Sequence, residues 1–259
     1  MKITLLQMDM KLGNPSENFI IAEKMIYKAM KDKPDVLVLP ETWNTGFFPQ
    51  NNLYELCCLD GEPVKQQIGN LAKKYSVNIV AGSVSNIKDS KVYNTSFVFN
   101  REGKCIAEYD KTHLFTPMGE DNFYTSGDHI CYFELDGIKC GVIICYDLRF
   151  PELTRKLAIE GIEVLFVVSQ WPKVRIKHLR ILTTARAIEN QIFIACSNSC
   201  GCANETVYGG FSAIVDPFGE TLALAGETEE IISAECDMKI LSQIRKSIPV
   251  FKDRHPELY

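Results

Sequence analysis

Apolar residues fall along this chain in two alternating patterns. Ile3 to Met8, Val36 to Leu39, Asn78 to Ala81, Val142 to Cys145 and Glu163 to Val168 read as strands. The wholly apolar Val36 to Leu39 suits a strand buried on both faces. Between them lie stretches with helical spacing. Asn14-Pro15-Ser16 supplies a turn and an N-cap for a helix carrying Phe19, Ala22, Ile26 and Met30 on one face. Further helices are predicted near Pro63 to Tyr75, from Pro151 (Leu153, Leu157 and Ala158 on one face, Gly161 following), over about Val174 to Asn190, and from Met238 to Arg245. Val92 to Asn100 and Cys105 to Tyr109 flank a hairpin turn at Arg101 to Lys104, and a second hairpin turns at Asp136-Gly137. Ile192 to Ser197, Tyr208 to Val215 and Ile231 to Cys236 are the remaining strands, with a turn at Pro217 to Glu220.

Helices interleaved with apolar strands, together with hairpins, argue for an α/β sandwich containing mixed sheet. Asp35 to Leu39 and Glu163 to Val168 resemble each other, each following a helix and ending near a proline, which hints at an internally duplicated layered architecture. No linker or low-complexity segment interrupts the 259 residues, so residues 1–259 read as one domain. The tail from Ser247 to Tyr259 carries no legible signal.

One stretch organises the rest. Gly141 to Glu152 reads G-V-I-I-C-Y-D-L-R-F-P-E, a buried strand running into a sharp turn with a helix beginning at Pro151. A cysteine at such a turn is held on rigid backbone beside N–H groups that favour negative charge, on a thiolate or on an oxyanion. The plainer reading of Cys145 is an inert buried thiol.

Composition narrows the classes. Hydrophobic residues make up 46% and charged residues 24%, ordinary for a globular chain. The net charge is −5 with no Lys/Arg cluster, which argues against nucleic acid or an anionic membrane as partner. The N-terminus turns polar too soon for a signal peptide, and no run approaches a membrane span; a cytoplasmic location is expected. The ten cysteines include no C-x-x-C pair and read as reduced thiols. The cluster Cys196, Cys200 and Cys202 has neither a matching second pair nor a nearby histidine, so it does not read as a zinc site.

A thiol that cleaves a carbon–nitrogen bond needs a base for its proton and a cation or N–H pair for the oxyanion. Histidine is the usual base, but His129, His178 and His255 lie in polar or peripheral contexts. His113 sits two residues from Lys111, on the same side of a strand if that strand continues. Charged residues that follow apolar strands are more informative: Glu41 after Val36-Leu-Val-Leu-Pro, Lys111 after Ile106-Ala-Glu-Tyr-Asp, and Cys145 after Val142-Ile-Ile. Strand ends on one edge of an α/β sheet line a shared crevice. A desolvated carboxylate there becomes a base near neutral pH, and a lysine beside the thiol is expected to lower the thiol's pKa.

P-E-T-W at 40–43, Y-D-K-T-H-L-F at 109–115 and C-Y-D-L-R-F-P-E at 145–152 occur in that order. Together they resemble the nitrilase (carbon–nitrogen hydrolase) superfamily. G-S-V-S-N at 82–86, A-R-A-I-E-N at 185–190 and D-P-F-G-E at 216–220 extend the resemblance over essentially the whole chain. It implies a four-layer α-β-β-α sandwich. It also implies a Glu41, Lys111, Cys145 triad: Glu41 as general base and acid, Lys111 as oxyanion stabiliser, and Cys145 as the nucleophile that forms a thioester. The backbone N–H of Tyr146 would be a second oxyanion donor. Glu120, in P-M-G-E-D, matches a further active-site glutamate that orients the lysine.

Arg149 either braces the turn against Asp147 or Glu152 or binds a substrate carboxylate, with bracing the favoured reading. Trp171 and Phe115 are candidate pocket walls. The motifs look most like the ω-amidase branch, which hydrolyses terminal amides of 2-oxo acids such as 2-oxoglutaramate. That branch implies a small carboxylate-bearing amide substrate, no metal or organic cofactor, and a homo-oligomer of two or more copies. An N-carbamoyl amide hydrolase and a nitrilase share the triad. A non-catalytic binding domain and a Cys–His peptidase using His113 are the readings outside it.

Overall fold

The apolar runs become the inner strands of two facing sheets. The computed structural model describes residues 1–47 and 51–258. The first sheet contains β1 (Lys2–Gln7), β2 (Val36–Val38), β3 (Asn78–Lys88), β4 (Lys91–Phe99), β5 (Cys105–Asp110) and, entering last from the far end of the chain, Glu230–Glu235. The second contains β6 (Tyr132–Leu135), β7 (Ile138–Ile144), β8 (Val164–Ser169), β9 (Phe193–Asn198), β10 (Ala213–Val215) and β11 (Thr221–Leu224). With Glu230–Glu235 as β12, the spatial orders are β12-β1-β2-β3-β4-β5 and β11-β10-β9-β8-β7-β6, and the short strand Cys58–Leu59 pairs with β3. The central strands of each sheet run parallel, β1 with β2 and β2 with β3, β7 with β8 and β8 with β9; the outer pairs are antiparallel. The two similar segments noted in the sequence are thus β2 and β8, each at the centre of a parallel trio.

Alternation sorts the side chains of the first sheet. Ile3, Leu5, Val36, Val38, Val80 and Val98 enter one core with Val142, Ile144, Val164 and Phe166 of the second sheet. Leu6, Leu37, Leu39, Ile79, Phe97 and Phe99 point the other way, onto Ala22, Met25 and Ile26 of α1 (Pro15–Ala29) and Ile68 and Leu71 of α2 (Val64–Tyr75). Leu153 and Leu157 of α3 (Pro151–Ile159) and Leu179 and Ala187 of α4 (Ile176–Asn190) cover the second sheet. Helix, sheet, sheet and helix therefore form four layers, as the motifs imply. Because strands are coated on both faces, Val36 to Leu39 is wholly apolar and fully buried. Asn14 caps α1, its side chain accepting from Glu17 N.

Two expectations change. Only Ala213–Val215 of the predicted strand from Tyr208 is extended in the main sheet, because Tyr208 to Ser212 turns back toward the site. Lys111 and His113 lie beyond the end of β5, so strand alternation does not relate them. The loop that follows Glu41 is split: Trp43 is core, stacked edge-on against Phe19 at 4.7 Å, whereas Phe48 lies outside the described residues. The C-terminal α5 (Lys239–Ser247) and the tail fold back on the chain: Ile248 O accepts from Gln191, and Arg155 and Arg245 lie over the Phe251 ring. Among the described residues, no helix is long and apolar enough to cross a membrane.

Gly82 is the tightest point behind the end of β2. Its φ is +61°, and a Cβ there would lie 2.0 Å from Pro40 O. Gly82→Ala is expected to lose at least roughly 1–3 kcal/mol of stability, since backbone must move and the conformation disfavours a side chain. Thermal denaturation reads this; an unchanged midpoint would mean that the Pro40 turn yields freely.

Candidate active site

The C-terminal ends of parallel strands from both sheets converge. Glu41 follows β2, Cys145 follows β7, and Gln170 and Trp171 follow β8. The sheets are tied here directly: Glu41 N donates to Ser169 O at 3.4 Å, and the Glu41 turn is held by Thr42 N to Ser83 Oγ and Ser83 N to Pro40 O, both at 3.0 Å. Lys111 leaves β5 on the same side, anchored by its N–H to Asn94 O at 2.9 Å.

Three ionisable side chains meet with no solvent exposure. Lys111 Nζ lies 2.9 Å from Glu41 Oε1 and 2.9 and 2.8 Å from the two oxygens of Glu120. Asn94 Nδ2 donates to Glu41 Oε1 at 2.9 Å and to Glu120 Oε1 at 3.4 Å, and Phe115 N donates to Glu120 Oε2 at 2.5 Å. Among the described residues Glu41 Oε2 accepts no hydrogen bond, and the Cys145 thiol is, with Lys111 and Glu120, one of the titrating neighbours of this carboxyl. The structure thus brings Glu41, Lys111, Glu120 and Cys145 together.

Burial pushes the Glu41 carboxyl up; the Lys111 charge opposes this and Glu120 reinforces it. Burial alone would lower Lys111, but the carboxylates of Glu41 and Glu120 outweigh it and hold the ammonium charged. The expected lowering of the thiol does not occur. Burial and the Glu41 charge raise Cys145 well above an ordinary thiol, against the opposing pull of Lys111 and the Gln170 backbone N–H. The resting group is a protonated thiol whose proton needs an acceptor.

Cys145 has φ +48°, a conformation disfavoured for a side chain, at the junction of β7 and a 3₁₀ turn spanning Cys145–Arg149. Asp147 holds that turn. Its wholly buried carboxylate accepts from Ile144 N at 3.0 Å, Tyr109 Oη at 2.8 Å, Thr112 Oγ1 at 3.1 Å and His113 N at 3.0 Å, and pairs with His113 Nδ1 at 2.8 Å. Burial and the Asp147 charge raise the Tyr109 phenol, which stays a donor. Y-D-K-T-H is therefore a clasp: the residues flanking Lys111 grip the residue two after Cys145. Arg186 of α4 adds a brace, its Nε donating to Leu148 O at 3.1 Å.

Arg149 does not brace the turn. Among the described residues it pairs with neither Asp147 nor Glu152, because Asp147 is committed to the clasp. Its guanidinium lies 4.5 Å above the Trp171 ring, with His178 Nδ1 at 3.3 Å. It lines a small cavity with Cys145, Tyr146, Trp171 and Phe115, so both aromatic wall candidates face the site. His113 is tied to Asp147 and stacked on Phe150 at 3.7 Å, which removes it as a base for Cys145. Asn94 and Arg175 lie outside the motifs that the sequence offers, and the clasp made by Asp147 and the brace made by Arg186 are not legible there. A polar Asn94-Thr95-Ser96 inside the apolar β4 was the available signal for the first.

Known proteins match the chain over nearly its whole length. Residues 2–246 match the carbon–nitrogen hydrolase family model. The chain is 46% identical to a 2-oxoglutaramate amidase of Bacillus subtilis, covering 99% of this chain and 98% of that one. It is 34% identical to the omega-amidase NIT3 of Saccharomyces cerevisiae, covering 100% and 94%. The crystal structure of S. cerevisiae Nit3, a member of branch 10 of the nitrilase superfamily, superimposes with a TM-score of 0.91 at 30% identity, covering 98% of this chain and 96% of that chain. The chain belongs to the carbon–nitrogen hydrolase family.

Asp147→Ala leaves several buried donors without an acceptor, at roughly 1–3 kcal/mol each if unrelieved. A loss of about 3–5 kcal/mol is expected in chemical denaturation. A loss below about 1 kcal/mol would mean that water replaces the carboxylate.

Proposed function

We propose that this protein is an ω-amidase that hydrolyses the terminal amide of a small 2-oxo acid amide such as 2-oxoglutaramate. The observation that carries the reading is the buried Glu41–Lys111–Glu120 cluster against Cys145, opening on a cavity whose wall bears Arg149. The relatives named 2-oxoglutaramate amidase and omega-amidase support the substrate class.

In this mechanism Glu41 takes the thiol proton as Sγ attacks the amide carbon. The oxyanion is held by Lys111 Nζ and the Tyr146 N–H. Glu41 returns the proton to the leaving nitrogen, ammonia departs, and a thioester remains on Cys145. Water, deprotonated by Glu41, attacks the thioester; the acid leaves and the thiol is regenerated. Glu120 fixes Lys111 by two hydrogen bonds, and Arg149 takes the substrate carboxylate over the Trp171 face. Raising the thiol suits this order, since the nucleophile forms only as Glu41 accepts its proton.

The same reading makes the chain one catalytic domain of the cytosol, where ten unpaired thiols suit a reducing compartment. It works as a homo-oligomer; exposed Ile181 and Ile188 on α4 beside Leu224 offer apolar ground for a second copy.

Ammonia release from 2-oxoglutaramate, N-carbamoyl amino acids and a simple nitrile tests the assignment, with Cys145→Ala as blank. Selective, Cys145-dependent turnover of the oxo amide is expected; turnover of the carbamoyl compounds or nitrile alone would replace the substrate class. Glu41→Gln is expected to lower kcat by roughly 100-fold or more. Because Glu41 must be ionised to accept the proton and its pKa is raised, the acid limb of kcat/KM should lie above the ordinary carboxylate range. An acid limb at or below that range would remove Glu41 as the base.

A further inference from the structure

Glu41 presents two unlike oxygens. Oε1 accepts from Lys111 Nζ and from Asn94 Nδ2, both at 2.9 Å, while the buried Oε2 accepts no hydrogen bond among the described residues. An oxygen that already holds two donors is the poorer base, and the bare one is the better proton acceptor. Asn94 lies within β4 and has no solvent exposure. Its backbone C=O accepts from Lys111 N at 2.9 Å and its carboxamide also reaches Glu120 Oε1 at 3.4 Å, so it touches all three members of the buried cluster. The amide is there for its donor. Its own Oδ1 is buried without a partner among the described residues, which costs stability, and turning the amide over would set that oxygen against two carboxylates. The two carboxylates do not depend on it equally. Without Asn94, Glu120 keeps two bonds from Lys111 and one from Phe115 N, whereas Glu41 keeps Lys111 and the thiol it must deprotonate.

We propose that Asn94 is a positioning residue: with Lys111 it occupies Oε1 of Glu41 and so reserves Oε2 for the proton that moves between Cys145 Sγ and the leaving nitrogen. In acylation the S–H bond breaks, its electron pair attacks the amide carbon, and the proton forms an O–H bond at Oε2. That bond breaks in turn as the proton passes to the departing nitrogen. This deepens the proposed function and rests on Glu41 as its base, not on which amide is cleaved. Asn94 also tunes the base, since its donation favours the carboxylate while burial and Glu120 disfavour it. The other titratable groups around Glu41 are Lys111, Cys145, Tyr124 and Tyr208. Burial raises both phenols and the two carboxylates hold Lys111 charged, so none of these three titrates near neutral pH.

Asn94→Leu removes the donor at nearly constant volume, and Asn94→Val does so with a smaller side chain should the leucine variant fail to fold. Thermal midpoints check folding. Ammonia release is followed against pH with 2-oxoglutaramate, or with whichever amide the wild type cleaves. Cys145 alkylation by iodoacetamide, read on its peptide by mass spectrometry, follows the same base without a substrate. The variants are expected to lose roughly 10–100-fold in kcat with KM changed less than about 3-fold. Glu41 must be ionised to act and has lost a donor to its carboxylate, so the acid limb should move to higher pH by about one to two pH units. The pH dependence of alkylation should move with it. Ser96→Ala is the control: its buried hydroxyl, two residues along β4, has no partner among the described residues, and its profile should match wild type. A folded Asn94 variant with an unmoved acid limb, a loss confined to KM, or an equal displacement in Ser96→Ala overturns the proposal. Failure of Glu41 as the base shows separately, in a wild-type acid limb at or below the ordinary carboxylate range, and overturns this proposal with it.

Discussion

The most demanding feature of this fold is a fully buried lysine between two carboxylates. Taking an ammonium and a carboxylate out of water costs several kcal/mol per ion, and mutual attraction offsets this only when every remaining donor and acceptor finds a partner. Lys111 meets Glu41 and Glu120 at 2.8–2.9 Å, Asn94 supplies a further donor, and Phe115 N closes onto Glu120. These partners come from β4, the ends of β2 and β5, and the loop beyond β5. A shift of any one would strand a buried charge, so the cluster fixes how those segments sit.

Cys145 is held to that cluster by a different interaction. Asp147 binds the backbone just before the cysteine and the residues on either side of Lys111, so one carboxylate sets the approach of the two strand ends. Arg186 secures the same turn from the outer helix layer. Such rigidity suits the proposed chemistry, in which oxyanion donors must be in place before charge develops. It also explains why the turn tolerates a cysteine at φ +48°.

The electrostatics differ from what residue types alone suggest. A lysine beside a thiol argues for a thiolate, but burial and the Glu41 charge dominate and keep the thiol protonated. The balance depends on how completely water is excluded and on a carboxylate more than a hundred positions away in the chain. Arg149 teaches the same lesson: the nearby acids made bracing the natural reading, but the tertiary clasp had already claimed Asp147.

Local order was written in the chain because its determinants are local. Wholly apolar runs with helical stretches between them require doubly coated strands, hence the layered α/β sandwich, and Asn14 and the two hairpin turns mark boundaries by their own chemistry. Glu41, Lys111 and Cys145 stood out as reactive groups after apolar strands, and their motifs carried the family. What the tertiary structure decided is everything that depends on approach across the sandwich: the burial that sets which protons stay on, the Asp147 clasp, and the meeting of Arg149 and Cys145 in one cavity. Spacing along a chain reports the period of an element; it does not report which distant strand end will exclude water from it.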